Sequence, residues 1–125
     1  MSAPGIRDNR RRAAFLRGGR AELLCLWHLR LKGYRILARR WRCQLGEIDI
    51  VAARRHTLIF VEVKARDTLD EDAESVTPRQ RQRIAGAAEV WLAQNPHVAF
   101  QDCRFDVVLV APGKIPRHIQ AAFET

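Results

Sequence analysis

Hydrophobic positions recur at helical spacing over residues 20–32, where Leu23, Leu24, Leu26, Trp27 and Leu31 predict a helix with a wide apolar face. Gly33 follows as its terminator, and Arg30 and Lys32 occupy the last turn, where the helix dipole favours cations. The period then shortens. Residues 34–43 (YRILARRWRC) alternate Tyr34, Ile36 and Ala38 with Arg35, Leu37 and Arg39, which predicts a partly exposed strand. Residues 47–52 (EIDIVA) and 57–65 (TLIFVEVKA) predict two further strands, and the short polar link between them implies an antiparallel hairpin. The third strand is apolar on both faces, with Ile59, Val61 and Val63 on one and Leu58 and Phe60 on the other, as a doubly covered central strand requires.

A second helix is expected to start where Thr77 can cap, Pro78 suits the first turn and Gln80 can complete a capping box. It should bury Ile84, Ala87, Ala88, Trp91 and Leu92 before Asn95-Pro96 ends it. Residues 104–111 (RFDVVLVA) predict a fourth strand, and residues 115–123 fit either an edge strand or a short closing helix. The order is α-β-β-β-α-β, and the helix between the third and fourth strands allows those two to run parallel. The expected fold is α/β, one domain over residues 19–125 built on a mixed sheet with helices on both faces.

Composition adds three constraints. With 125 residues, 47% apolar and 29% charged, the chain is globular rather than disordered. No apolar run reaches the roughly 18 to 20 residues of a membrane span, and the N-terminus lacks a signal-peptide core, so a cytoplasmic protein is expected. Cys25, Cys43 and Cys103 are odd in number and widely spaced, which predicts reduced, mostly buried thiols and neither a disulfide framework nor a zinc site. The net charge of +8 is concentrated at the start: six arginines in the first twenty residues face only Asp8. Residues 1–18 thus read as a basic, flexible arm, either a nucleic-acid contact or a solubilising tail. Asp67, Asp70, Glu71, Asp72 and Glu74 form an acidic loop expected to be mobile and solvated.

The chemistry lies in the hairpin. If its register centres between Arg55 and His56, Asp49 faces Glu62 and Glu47 faces Lys64, all on one side of the sheet. Facing carboxylates repel one another and, on a covered sheet, lose hydration; a lysine or a divalent cation must compensate them. Oxygen ligands of this kind suit Mg²⁺ or Mn²⁺. The alternative is a cross-strand salt bridge of Glu62 or Glu47 with Lys64. Glu22 either complements the dipole of the first helix or belongs to the site. Asp106, in a strand that reads as buried, needs a partner such as an arginine. Arg79, Arg81 and Arg83 either touch phosphate or are solvated. Trp27 and Trp91 are expected in the core; Trp41 could stack on a base or cover the sheet edge. No histidine shows ligand spacing.

GEIDIVA (46–52) followed by LIFVEVKAR (58–66) resembles the YraN family of bacterial proteins, supported by residues 19–37, 74–84, 103–110 and 118–123. That resemblance implies a fold similar to restriction endonucleases and Holliday-junction resolvases, the PD-(D/E)xK nucleases. It implies Asp49, Glu62 and the backbone carbonyl of Val63 as metal ligands, Lys64 as the catalytic lysine, and Glu22 as an acid that approaches the metal, often through water. Gln80 stands where many members have lysine. The function implied is a Mg²⁺- or Mn²⁺-dependent endonuclease acting on DNA, including branched or recombination intermediates, in a protein that could form a homodimer. The other reading is a nuclease-like module that binds nucleic acid without cutting it.

Overall fold

A computed structural model describes residues 19–66, Leu69 and residues 76–124. The basic arm and the acidic-loop residues Asp67, Asp70, Glu71, Asp72 and Glu74 lie outside them. Seven elements follow in order: α1 (Arg20–Leu31), β1 (Arg35–Cys43), β2 (Gly46–Arg54), β3 (Thr57–Ala65), α2 (Pro78–Gln94), β4 (Asp102–Val110) and β5 (Arg117–Phe123). The strands form one mixed sheet in the order β1-β2-β3-β4-β5. Only β3 and β4 run parallel, joined through α2; the other pairs are antiparallel. This is the expected α/β architecture, and the tail of the chain resolves as an edge strand.

The two helices cover opposite faces. Ala21, Cys25, Leu26 and Leu29 of α1 pack on Ile50, Ala52, Ile59, Val61, Val108 and Val110. Ala87, Ala88 and Trp91 of α2 pack on Val51, Ala53, Leu58 and Phe60. From Leu58 to Val61, β3 therefore sends every side chain into one core or the other, as its sequence requires. Among the described residues no helix is long and apolar enough to cross a membrane.

α1 buries a different stripe from the expected one. Leu23 and Leu24 are largely exposed, Trp27 and Leu31 are 60% and 85% exposed, and the buried face is Ala21, Glu22, Cys25, Leu26 and Leu29. Two apolar stripes compete at the same period, and the narrower side chains Ala21 and Cys25 let the helix approach the sheet more closely. Trp27 instead lies beneath the Arg30 guanidinium, 5.9 Å from its ring centroid. Trp91 is buried as expected, and Trp41 packs over the sheet edge beside the α2 core. All three cysteines are free, yet only Cys25 is buried; Cys43 is half-buried and Cys103 exposed.

α2 begins as its sequence requires: Thr77 accepts from the Gln80 N–H at 3.2 Å, and the Gln80 side chain accepts from the Thr77 N–H at 3.0 Å. Its second and third turns press on the β1–β2 turn. A Cβ at Gly46 would stand 2.8 Å from the Arg83 carbonyl oxygen, so the glycine fixes how closely helix and turn approach. On the other face, buried Asp106 accepts from Arg104 (3.1 and 2.9 Å), from His118 (2.7 Å) and from the Ala121 N–H (2.9 Å). These donors hold its carboxyl below the usual range against the upward push of burial. Ala121 carries a φ of 50° where the β4–β5 register shifts, so Asp106 also pins a strained bulge.

Replacing Gly46 by alanine forces Arg83 and the turn apart. A loss of about 1 to 3 kcal/mol in urea unfolding is expected, with an unchanged denaturant slope.

Candidate metal centre

The β2–β3 ladder pairs Arg54 with Thr57 through to Ile50 with Val61, a register centred between Arg55 and His56. Asp49 and Glu62 are the next residues on their strands, as expected. Here the backbone pairing ends. The Asp49 Oδ2 instead accepts from the Val63 N–H at 2.8 Å, so a side chain takes the place of the next ladder bond. The alternation of β2 also breaks at this point. Ile48 packs in the core under α2 and Ile50 in the core under α1, although they are two residues apart. On β1, opposite, Arg40 adopts a φ of 47°. The two strands roll over together, and Asp49 sits at the roll.

Glu62 lies beside Lys64, whose Nζ is 3.3 Å from Oε1; the two side chains are 18% and 14% exposed. Glu47 does not meet Lys64. Because the β2–β3 ladder has ended, Glu47 pairs back with β1, opposite Arg42, and its carboxylate lies 3.2 Å from the Arg42 Nε. The expected four-residue patch therefore becomes a tight trio, Asp49, Glu62 and Lys64, with Glu47 at its rim. Glu47, Asp49 and Glu62 line a cleft of about 240 Å³ whose opposite wall is Gln80, Arg83 and Ile84 of α2. A second cleft of about 180 Å³ runs on the other side of Asp49, lined among others by Glu22, Arg40 and Val63.

The carboxyl of Asp49 is pushed up to about 7, first by burial and then by the charge of Glu62, against the Val63 N–H, which favours the anion. Glu62 is raised too, by burial, with Lys64 opposing. The charge of Glu62 thus helps to keep the proton of the pair on Asp49 to higher pH than an isolated carboxyl would hold it. Cys25 beneath them is pushed to about 12 by burial, with smaller contributions from Asp49 and Glu22, and is an inert thiol.

Glu22 is buried, on the first turn of α1, and borders the same cleft as Asp49 and Val63. Both of its oxygens are engaged: Oε1 accepts from Arg39 at 3.2 Å and Oε2 from Arg40 at 2.5 Å. The doublet of arginines in β1 was the sequence signal for this pair. In a regular strand they would point to opposite faces; the positive φ at Arg40 turns both toward α1.

Among the described residues no three His, Cys, Asp or Glu side chains are gathered as a metal site. What the described residues offer is two carboxylates on an open cleft, with Val63, whose N–H holds Asp49, bordering the cleft beside it. That oxygen-only set fits Mg²⁺ or Mn²⁺, which are held by one or two carboxylates, with water and substrate phosphate completing the shell. The raised pair supports the fit, since its mutual repulsion lacks a full counter-charge.

Comparison with known proteins adds a family. The profile of "Uncharacterised protein family UPF0102" matches residues 21–110, a span that includes α1, the whole hairpin, α2 and β4. A UPF0102 protein of Rhodopseudomonas palustris (strain HaA2) is 57% identical over 112 residues, covering 90% of this chain and 88% of the relative. One of Bradyrhizobium diazoefficiens is 53% identical over 121 residues, covering 97% of this chain and 91% of the relative.

The raised Asp49 carboxyl makes a sign-definite prediction for metal-free protein. Its proton is bound more tightly folded than unfolded, so stability falls as pH rises from about 4 to about 7. Asp49→Asn keeps an acceptor for the Val63 N–H and removes that loss. In EDTA the two melting curves should coincide near pH 4, and the variant should be more stable by about 1 to 3 kcal/mol above pH 7.

Proposed function

The chain belongs to Uncharacterised protein family UPF0102, and from the site built at its hairpin we propose that it is a divalent-metal-dependent endonuclease that hydrolyses phosphodiester bonds in DNA. One observation carries the reading: two coupled carboxyls, Asp49 and Glu62, open onto a cleft with the Lys64 ammonium 3.3 Å from Glu62. The element order and the placement of this trio support kinship with restriction endonucleases and Holliday-junction resolvases, with branched or recombination intermediates of DNA as substrates. A cytoplasmic setting supplies both nucleic acid and Mg²⁺.

Asp49, Glu62 and the Val63 carbonyl would hold the cation. Bound there, Mg²⁺ or Mn²⁺ supplies charge for a phosphate oxygen and makes a water more acidic. The residues of the chain do the rest. Asp49 is fixed by the Val63 N–H, so its free oxygen keeps one direction. Lys64 is half of an ion pair with Glu62, and its ammonium would stabilise negative charge gathering on the scissile phosphate. Burial of both side chains makes that charge count for more than it would in water. Glu22 holds Arg39 and Arg40 in place and can reach the centre only through water while those contacts last.

Calorimetric titration of Mg²⁺ or Mn²⁺ should give a binding isotherm for wild type that Asp49→Asn abolishes. With junction, flap, single-stranded and linear DNA, cleavage in the same metals should fall by at least about 10² in Glu62→Gln and in Lys64→Ala. Cleavage that survives both changes belongs to a contaminant. Binding of DNA with neither metal uptake nor cleavage of any substrate would establish the non-catalytic module instead.

A further inference from the structure

Three clefts adjoin through shared lining residues around Asp49, and together they are called the trough. Asp49 is shared between the first cleft and the one bordered by Glu22 and Val63. Gly19, Glu22 and Arg40 are shared between that second cleft and a third, of about 290 Å³, which adds Arg39. Carboxylates line the middle of the trough, and guanidinium groups stand at its two ends: Arg83 at one, Arg39 and Arg40 at the other.

The state of those arginines matters more than their number. Arg83 makes no ion pair or hydrogen bond among the described residues, although three carboxylates line the cleft it faces. At the far end, Arg39 and Arg40 each give their Nε–H to Glu22, and their side chains are 49% and 58% exposed. Two guanidiniums on one carboxylate leave a net positive charge, and anchoring through Nε leaves the outer Nη–H groups directed away from Glu22 and available to a ligand. Helix α2 adds a further sign. Its first turn carries no acid, and Arg79 and Arg81 stand where the helix dipole favours negative charge. That arrangement costs helix stability and raises the local potential for an arriving anion.

We infer that the trough holds a single polynucleotide strand by its backbone, with Arg83 binding a phosphate on one side of the Asp49–Glu62 centre and the Arg39–Arg40 pair binding a phosphate on the other. The inference rests on the nuclease reading and deepens it by giving the substrate a path. Two anchor points fix the strand's direction across the carboxylates, and the phosphate between them is the one brought to the centre. The contacts carry no sequence information, because guanidinium groups on phosphate position a strand without reading its bases. Glu22 acts here as a positioning residue: it orders two arginines and leaves their outer donors to the nucleic acid.

The test is equilibrium binding of a fluorescein-labelled single-stranded oligodeoxynucleotide to the full chain in Mg²⁺, in a Glu62→Gln background so that the strand stays intact. Affinity is measured from about 50 to about 200 mM salt. Arg83→Ala, on an exposed helical position with no partner to lose, should weaken binding about fivefold to tenfold near 0.1 M salt. It should also lower the slope of log K against log salt by about 0.7. Arg83→Lys should restore the slope. Glu22→Gln should weaken binding without lowering the slope by a full contact, since both arginines keep their charge. Arg35→Ala, on the exposed edge of β1 at the hairpin end of the sheet, should change neither quantity. If wild type binds and Arg83→Ala keeps both affinity and slope, the path is wrong while the metal-centre reading stands. If neither wild type nor the Glu62→Gln chain binds any oligonucleotide, both fall together.

Discussion

The bond from the Val63 N–H to the Asp49 carboxylate is the constraint on which the rest of this end of the sheet depends. An antiparallel pair normally continues its ladder with backbone carbonyls. Here an acidic side chain supplies the acceptor, so the partner strand no longer has to stay at ladder distance. β2 can then roll, moving Ile48 from the face of Ile50 to the opposite core. Released from β3, the first residues of β2 follow β1 instead, and Glu47 goes with them to Arg42. The opening left behind is the cleft. One substitution of a carboxylate for a carbonyl thus opens the cleft and sets the direction of the Asp49 side chain.

A second carboxylate in the same sheet shows what an ordinary solution looks like. Asp106, fully buried on β4, has donors from Arg104, His118 and Ala121, and its carboxyl is held low. Asp49 has one backbone donor and an acid for a neighbour, and is held high. Asp49 is half-buried and Asp106 fully buried, so burial alone would not leave Asp49 the higher of the two; the donors reverse the order. The chain can build a satisfied acid when structure requires one. An acid pair left short of counter-charge beside an open cleft is the pattern of a ligand site.

Much of this was legible in the sequence because the relevant signals are local. The capping box at Thr77 and Gln80 and the double apolar run of β3 depend on near neighbours, and each fixes its element. The register of the hairpin followed from a loop centred on Arg55 and His56, which brought Asp49 next to Glu62. The Glu47–Lys64 opposition did not form, because register reasoning assumes that a ladder continues, and the Asp49 side chain ends it. The stripe on α1 was misread because two apolar faces share one period, and closeness of approach, a tertiary property, chose the smaller one. The partnership of Glu22 with Arg39 and Arg40 needed a positive φ at a non-glycine residue, which composition does not announce. Asp106 was expected to need an arginine and has one, but His118, twelve residues away and without ligand spacing, completes its shell.

The costs borne by the fold are also unevenly placed. Arg40 sits in a left-handed conformation that disfavours side chains, Asp49 and Glu62 repel across a narrow gap, and α2 opens on arginines rather than acids. Each is locally unfavourable, by amounts on the order of a kcal/mol. Arg40, Asp49 and Glu62 border the same trough, whereas the strained Ala121 elsewhere is answered by Asp106. A divalent cation would relieve the repulsion between the acids, and a phosphate would meet the uncompensated arginines. Complementary relief from one kind of substrate is a stricter condition than a motif match, because it asks that carboxylates and guanidiniums be unsatisfied in the right places together. The proposed metal-assisted phosphodiester site would meet that condition, because the pairs of Glu22 with Arg39 and Arg40 and of Glu62 with Lys64 leave Asp49 and Arg83 without an opposite charge.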